Sequence, residues 1–289
     1  MTYDLKKKVV LITGAAGGIG AATARELYAL GATLVLTDRQ QEAVDALARE
    51  FDPGRVLPLA LDVTDARATE AVVRQAVDRF GRLDVAFANA GIAWRGAPAT
   101  LLTCDDEEFE RIIEVDLFGV WRTIRAALPE VIRNQGQILV TSSIYSFLNG
   151  MANAPYAASK AAVESLTRAL RAELGGTGAT ASVVYPGWTA TAIATIAFGG
   201  HELATRMNEA ALPGFLRRPI PPEEVARAIV KGMQGRDARI IAPGRWTPIF
   251  MLRGMFNPLT DWYLSRHQGL QGLLRELESQ VPGSTRKPG

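Results

Sequence analysis

The sequence predicts an α/β protein built on one doubly wound parallel sheet, and three observations carry that expectation. Short apolar runs alternate with longer helical patterns from the first residues to about residue 242. The runs are continuously apolar, as strands buried on both faces of a parallel sheet require. A glycine-rich turn, Thr13-Gly14-Ala15-Ala16-Gly17-Gly18-Ile19-Gly20, joins the first run to the first helical pattern.

Residues 9–12, 33–36, 56–61, 85–88, 137–140, 181–184 and 239–242 read as strands, and helical spacing appears near 18–30, 40–50, 66–80, 106–127, 156–174 and 222–234. Such alternation implies right-handed βαβ units in a single sheet. No linker or composition break precedes residue 242, so residues 1–244 are read as one domain. Within it, residues 188–221 are rich in small, apolar, Gly and Pro positions and read as a flap over a site. Residues 245–289 form a C-terminal extension, expected to pack on the domain or on a partner subunit, and 282–289 read as a frayed tail.

Composition narrows the class. Hydrophobic residues at 48% and charged residues at 21% suit a globular chain with a sizeable core. A net charge of +2 gives no pull toward nucleic acid, and no nucleic-acid partner is expected. The single cysteine, Cys104, excludes an internal disulfide, and two histidines without a Cys/His cluster argue against structural zinc; no metal is expected. The beginning lacks a secretory pattern and no run approaches the ~18 apolar residues of a membrane span. The cytoplasm is therefore the expected location.

Glycines at the turn allow a pyrophosphate to approach the backbone at a helix N-terminus. Asp38 ends the second strand, where a carboxylate accepts both ribose hydroxyls of an adenosine and repels a 2′-phosphate. Arg39 follows and could pair with that phosphate, and a turn or N-cap role is the plain alternative for Asp38. The position of the acid favours NAD over NADP. The spacing G-x-x-x-G-x-G, with Gly14, Gly18 and Gly20 around Ile19, resembles the glycine segment of the short-chain dehydrogenase/reductase family. Asp62-Val63, after the third strand, resembles that family's adenine-side acid, and Asn89-Ala90-Gly91, after the fourth, its N-A-G turn.

Tyr156 and Lys160 stand at i and i+4, on one face of a predicted helix. Ser143 lies thirteen residues before the tyrosine, just past a strand end, where an open α/β sheet presents its ligand crevice. Ser142 is adjacent, and the family's thirteen-residue offset selects Ser143. A phenol with a reference pKa of about 10 is a sluggish base near neutrality. A nearby ammonium favours the tyrosinate and is expected to lower that value. The resemblance, which covers roughly residues 5–242, implies a Rossmann-type sheet with Tyr156 as general acid/base. It also implies Lys160 as its modulator and ribose ligand, and Ser143 as donor to the substrate oxygen. The segment Pro186-Gly187-Trp188-Thr189-Ala190-Thr191 resembles the family's P-G segment. Pro186, Gly187 and Thr189 are expected at the cofactor, and Thr191 is implied as the residue that fixes the nicotinamide amide.

One departure stands out. Where the family carries asparagine in a V-N-L-x-G segment, this chain reads Val115-Asp116-Leu117-Phe118-Gly119. Asp116 shares a stripe with Ile112, Ile113, Val120 and Ile124 and should point inward. A buried acid needs a partner, and the family's geometry makes Lys160 the candidate.

The resemblance therefore implies an NAD(P)-dependent enzyme that moves a hydride between nicotinamide and the carbon of a secondary alcohol or ketone. A dinucleotide-binding regulatory or scaffold protein is the alternative, but it would be expected to lose Ser143, Tyr156 or Lys160. An epimerase or dehydratase of the family's longer branch fails on chain length. Ile193, Ile196, Phe198, Leu203, Met207, Leu212, Phe215 and Leu216, with Trp94 and Trp188, suggest an apolar pocket and a hydrophobic small-molecule substrate. The resemblance also implies a homodimer or homotetramer paired through helices 106–127 and 156–174. The arginines of the extension are too dispersed to favour membrane contact.

Overall fold

A computed structural model describes residues 2–95, 98–191 and 201–280. The flap positions Ile193, Ile196 and Phe198 and the tail 282–289 lie outside the described residues. Seven strands, β1 (Val9–Thr13), β2 (Thr33–Asp38), β3 (Val56–Ala60), β4 (Val85–Ala88), β5 (Gln137–Thr141), β6 (Thr180–Pro186) and β7 (Arg239–Ala242), form one sheet in the order β3-β2-β1-β4-β5-β6-β7. Every pairing is parallel. The order reverses between β1 and β4, and open α/β sheets bind ligands outside the carboxyl ends of strands at such a switch point.

The continuous apolar runs are explained by burial on both faces. All five residues of β1 are buried. Val10 and Ile12 face one layer, packed with Leu27, Val225, Ile229 and Met233. Val9 and Leu11 face the other, with Val73, Ala76, Ile124 and Val163. A side-chain period of two thus divides one apolar run between two cores. The first layer contains α1 (Gly18–Ala29), α2 (Gln41–Ala48) and α9 (Pro222–Gly235); the second contains α3 (Ala66–Phe80), α5 (Val120–Arg133) and α6 (Ala154–Glu173).

The helical row predicted over 106–127 runs further and is not uniform. It comprises α4 (Asp106–Ile113), a π-helical turn over Glu114–Gly119, and α5, which ends at Arg133. Asp105 caps α4 by accepting the Glu108 N–H at 2.9 Å, and Asp106, Glu107 and Glu108 place negative charge at the positive helix end. The π turn lies close to the end of β3: a Cβ on Gly119 would come within 2.6 Å of Val63.

Beyond β6 lie α7 (Glu202–Ala211) and α8 (Gly214–Arg217). The extension comprises a 3-10 turn over Gly244–Trp246, then α10 (Thr247–Met251), α11 (Arg253–Arg266) and α12 (Gln268–Ser279). Trp246 and Phe250 are buried in a cluster with Phe147, Tyr185 and Leu216. Leu270, Leu273, Leu274 and Leu277 of α12 pack on Leu203 and Met207 of α7. The middle helix differs: α11 buries no residue. No helix among the described residues is long and apolar enough to cross a membrane.

Candidate active site

The glycine turn sits at the switch point. Gly14 has φ +62°, and a Cβ there would come within 2.8 Å of Ala90 Cα, so the turn lies hard against the N-A-G segment. Gly18 opens α1, where a Cβ would lie 2.8 Å from Thr191 Cγ2. Gly17 caps α1 without a side-chain acceptor, so the first-turn N–H groups are left for a ligand at the positive helix end. Ile19 lines the adjoining cavity, whereas Gly20 is buried behind the turn.

Asn89 ties three strand ends together. Its backbone N–H donates to Thr13 Oγ1 at 3.0 Å, and its Nδ2 donates to the carbonyls of Thr13 and Gly14 at 3.1 and 3.2 Å. Its Oδ1 accepts from Thr141 Oγ1 at 3.1 Å, and the Ala90 N–H also donates to Thr13 Oγ1 at 3.0 Å. The amide is thus spent on holding β1, β4 and β5 in register beneath the turn. Asp38 Oδ2 accepts the Ala16 N–H at 3.2 Å from within the glycine turn. Asp62 accepts both the N–H and the hydroxyl of Thr64, at 2.9 and 2.7 Å.

The catalytic candidates converge as expected. Lys160 is buried on α6, one turn after Tyr156, with its Nζ 5.3 Å from the Tyr156 ring centroid. The Ser143 hydroxyl accepts the Tyr145 N–H at 3.2 Å and lies near enough to Tyr156 to favour its ionised form. The two adjacent serines separate cleanly: Ser142 is buried and its hydroxyl donates to the Lys160 carbonyl at 2.8 Å, holding the helix on the strand end. Asp116 is fully buried; its Oδ1 accepts the Ile92 N–H at 2.8 Å and its Oδ2 lies 3.0 Å from Lys160 Nζ. The π turn is what delivers this carboxylate between the N-A-G segment and α6.

The electrostatics correct one expectation. Lys160 does pull the Tyr156 pKa down, as does the Ser143 hydroxyl, yet the net direction is up. Burial is the largest cause, and the Asp116 carboxylate adds to it by offsetting the ammonium. Lys160 itself is held above its ordinary value: burial opposes its charge, but Asp116 and Tyr156 favour it more. Burial pushes Asp116 up, opposed by Lys160 and the Ile92 N–H.

One cavity of about 680 Å³ joins these parts. Its lining runs from Asp38, Asp62 and Val63, past Gly14, Gly18 and the N-A-G segment, to Ser143, Tyr156, Lys160 and the Pro186–Thr191 stretch. Thr189 lines this cavity as well. Its side chain is buried and its hydroxyl donates to the Gly187 carbonyl at 3.0 Å, so its hydroxyl shapes the turn. A cradle without Cβ atoms, an uncapped helix N-terminus and a carboxylate at the end of β2 together fit a nicotinamide dinucleotide. The far end is aromatic, with Trp94, Tyr145 and Trp188 on its walls.

Residues 8–198 match the short chain dehydrogenase family. Meso-2,3-butanediol dehydrogenase of Serratia marcescens is 35% identical over 241 residues, covering 83% of this chain and 92% of its own. The chain belongs to the short-chain dehydrogenase family. A short-chain dehydrogenase/reductase from Burkholderia phymatum in complex with NAD superposes with a TM-score of 0.74 at 25% identity, covering 89% of this chain and 96% of that one. An alcohol dehydrogenase from Thermococcus sibiricus complexed with 5-hydroxy-NADP gives a TM-score of 0.68 at 31% identity, over 82% and 94%. As a member of this family the chain is an NAD(P)-dependent oxidoreductase acting on CH–OH groups.

Two parts of this short-chain dehydrogenase's site were not read from the sequence. Trp246 stacks on Trp188 with centroids 5.6 Å apart and planes 24° from parallel, and it underlies Gly187, where a Cβ would lie 2.7 Å from its Nε1. Fifty-eight residues separate the two tryptophans, and no local pattern links them. Tyr145 stands edge-on to Tyr156, 6.0 Å between centroids at 78°. Its place two residues after Ser143 was the available signal.

Proposed function

We propose that this chain transfers a hydride between NAD and the carbinol carbon of a hydrophobic secondary alcohol or its ketone. The observation that carries the reading is Tyr156, beside Ser143 and backed by the buried Lys160 5.3 Å from its ring, at the wall of the cavity that begins at the glycine turn. When bound, the nicotinamide supplies or takes the hydride. Ser143 donates to the substrate oxygen and steadies the charge that develops there. Tyr156 gives its proton to that oxygen in reduction and takes it back in oxidation. Lys160, kept protonated by Asp116, holds positive charge beneath the phenol and donates to the cofactor ribose.

Gly14, Gly18, Ile19 and the α1 N-terminus hold the pyrophosphate; Asp62, Val63, Asn89 and Ala90 shape the adenosine half; Gly91 leaves room for the cofactor beside Lys160 and Asp116; Pro186, Gly187 and Thr191 flank the nicotinamide. Asp38 faces the ribose hydroxyls and disfavours a 2′-phosphate, so NAD is the preferred cofactor although Arg39 lines the same cavity. The aromatic walls support an apolar substrate. A panel of secondary alcohols and ketones, followed as NADH absorbance, tests the reading; bound NADH with no turnover of any of them overturns it.

Assembly belongs to the same proposal. Leu252, Met255, Leu259 and Trp262 follow a three-four-three spacing along α11, flanked by Phe256 and Tyr263, and all are exposed. That narrow stripe suits another helix better than a lipid surface, which a broader apolar face would favour. With Met251, and at ~150–250 Å² for each fully exposed side chain, these fractions leave roughly 600–900 Å² in water, about what one partner of a standard interface buries. A second copy of the chain covers this face, making a homodimer. Exposed Phe118 and Trp121, on the helical row from 106 to 133, offer a second face for a homotetramer.

A further inference from the structure

A second cavity, of about 90 Å³, lies beside the first between the 148–153 loop, α7 and α11. Trp94, Tyr145 and Asn153 line both, so these residues form part of the wall between them. Because the Tyr145 ring packs edge-on to Tyr156, the second cavity begins one aromatic ring from the candidate reacting hydroxyl. Several polar groups on its walls already have partners. Trp94 Nε1 donates to Asn153 Oδ1 at 3.0 Å, Asn149 Nδ2 to Asp261 Oδ1 at 2.9 Å, and the Tyr263 hydroxyl to the Ala210 carbonyl at 3.3 Å. The remaining lining is mainly apolar, with Leu148, Met151, Met207, Leu212 and Leu264 beside Ala204 and Ala211, and also includes Asn208 and Thr260, whose hydroxyl donates to the Phe256 and Asn257 carbonyls.

We infer that this cavity receives a hydrocarbon arm of the substrate, so that the enzyme prefers alcohols and ketones bearing an unbranched or lightly branched apolar chain on one side of the reacting carbon. The inference rests on the proposed dehydrogenase chemistry and adds the shape of the molecule. A cavity of ~150 Å³ lined by apolar side chains holds benzene, so 90 Å³ takes about three or four carbons. Two of its three walls, α7 and α11, lie beyond residue 198, where the family match ends. The shape of this cavity is therefore set mainly by α7 and the extension rather than by the segment that the family model covers.

The test is a methyl ketone series from butan-2-one to decan-2-one with NADH, in the wild type and in Ala211→Phe. Each methylene buried in the cavity raises kcat/KM about fourfold, the equivalent of ~0.8 kcal/mol, and the gain levels off once three or four are accommodated. Ala211→Phe, which fills the cavity from α7, cuts the advantage of the long ketones at least tenfold and leaves butan-2-one within about twofold. Ala204→Leu is the milder second variant, and melting temperatures confirm that both fold. A flat chain-length dependence in the wild type, with butan-2-one still reduced, overturns the subsite and leaves the dehydrogenase reading intact. So does an equal loss on short and long ketones in both folded variants. Failure of every ketone in the wild type despite bound NADH faults the functional reading itself and removes the subsite with it.

Discussion

Asp116 and Lys160 form a buried ion pair, Oδ2 to Nζ 3.0 Å, in which a carboxylate offsets the one ammonium beneath Tyr156. Tyr156 is faced by Lys160 from its own helix, Asp116 from the π turn, and Ser143 and Tyr145 from the β5 end. Alcohol oxidation requires the tyrosinate, so its rate rises with pH through the Tyr156 pKa. Asp116 raises that pKa. Asp116→Asn leaves Lys160 unopposed, and the rising limb of the kcat/KM profile for oxidation should move toward lower pH. Because Asp116 also holds Lys160 above its ordinary value, loss of the Lys160 proton should intrude from the alkaline side sooner. A profile superimposable on wild type would show that the carboxylate only places the Ile92 backbone.

Tyr156→Phe removes the proton donor but keeps the ring that packs on Tyr145. Turnover should fall by ~10²–10⁴-fold, with NADH affinity close to wild type by fluorescence titration. A variant that keeps more than about a tenth of wild-type kcat would dismiss Tyr156 as the acid/base.

Asp38 should give NAD(H) at least a tenfold advantage over NADP(H), equivalent to ~1.4 kcal/mol. Asp38→Ala should narrow the ratio from both sides, by loosening NAD and by relieving repulsion of the 2′-phosphate. Equal affinities in the wild type would mean that Arg39 governs the choice.

On α11, Trp262→Glu places a charge at the C-terminal end of the exposed stripe without touching either cavity. Light scattering should report a smaller assembly, with kcat on a short alcohol unchanged. Unaltered mass would move the interface elsewhere, and binding of the intact chain to anionic vesicles would point to lipid instead.

The strands were legible because their apolar runs are long and the central ones, β1, β4 and β5, are buried throughout, although β3 and β7 keep partly exposed positions. Tyr156 and Lys160 were legible from their spacing on one helix face, and Ser143 from its place past a strand end together with the offset that the family resemblance implies. Other features depended on contacts that sequence spacing does not encode. A π turn over Glu114–Gly119 adds a residue to one helical turn and barely disturbs the apolar stripe, so Asp116 was expected to face inward, but its bond to Ile92 was not. The upward shift of Tyr156 arises from burial and from an Asp–Lys distance, neither visible in a motif. Likewise the composition of the extension promised packing, and it could not tell that Trp246 and the α12 leucines would be enclosed while Met255, Leu259 and Trp262 would not.

Trp246 also sets where the chain can be cut and rejoined. The family match ends at residue 198, yet the plate beneath Gly187 and Trp188 comes from the far side of β7. A graft that exchanges everything after residue 243 would lift the floor from the Gly187–Trp188 end of the cavity, whereas one joined between Leu252 and Arg253 would exchange only the outer wall. Chimeras made at the two junctions should therefore part company in calorimetric NADH titrations, the first losing the cofactor and the second retaining it with an altered range of ketones. Equal retention at both junctions would show that Trp246 is replaceable. For redesign of this enzyme, the modular boundary lies inside the extension, one short helix later than the sheet suggests.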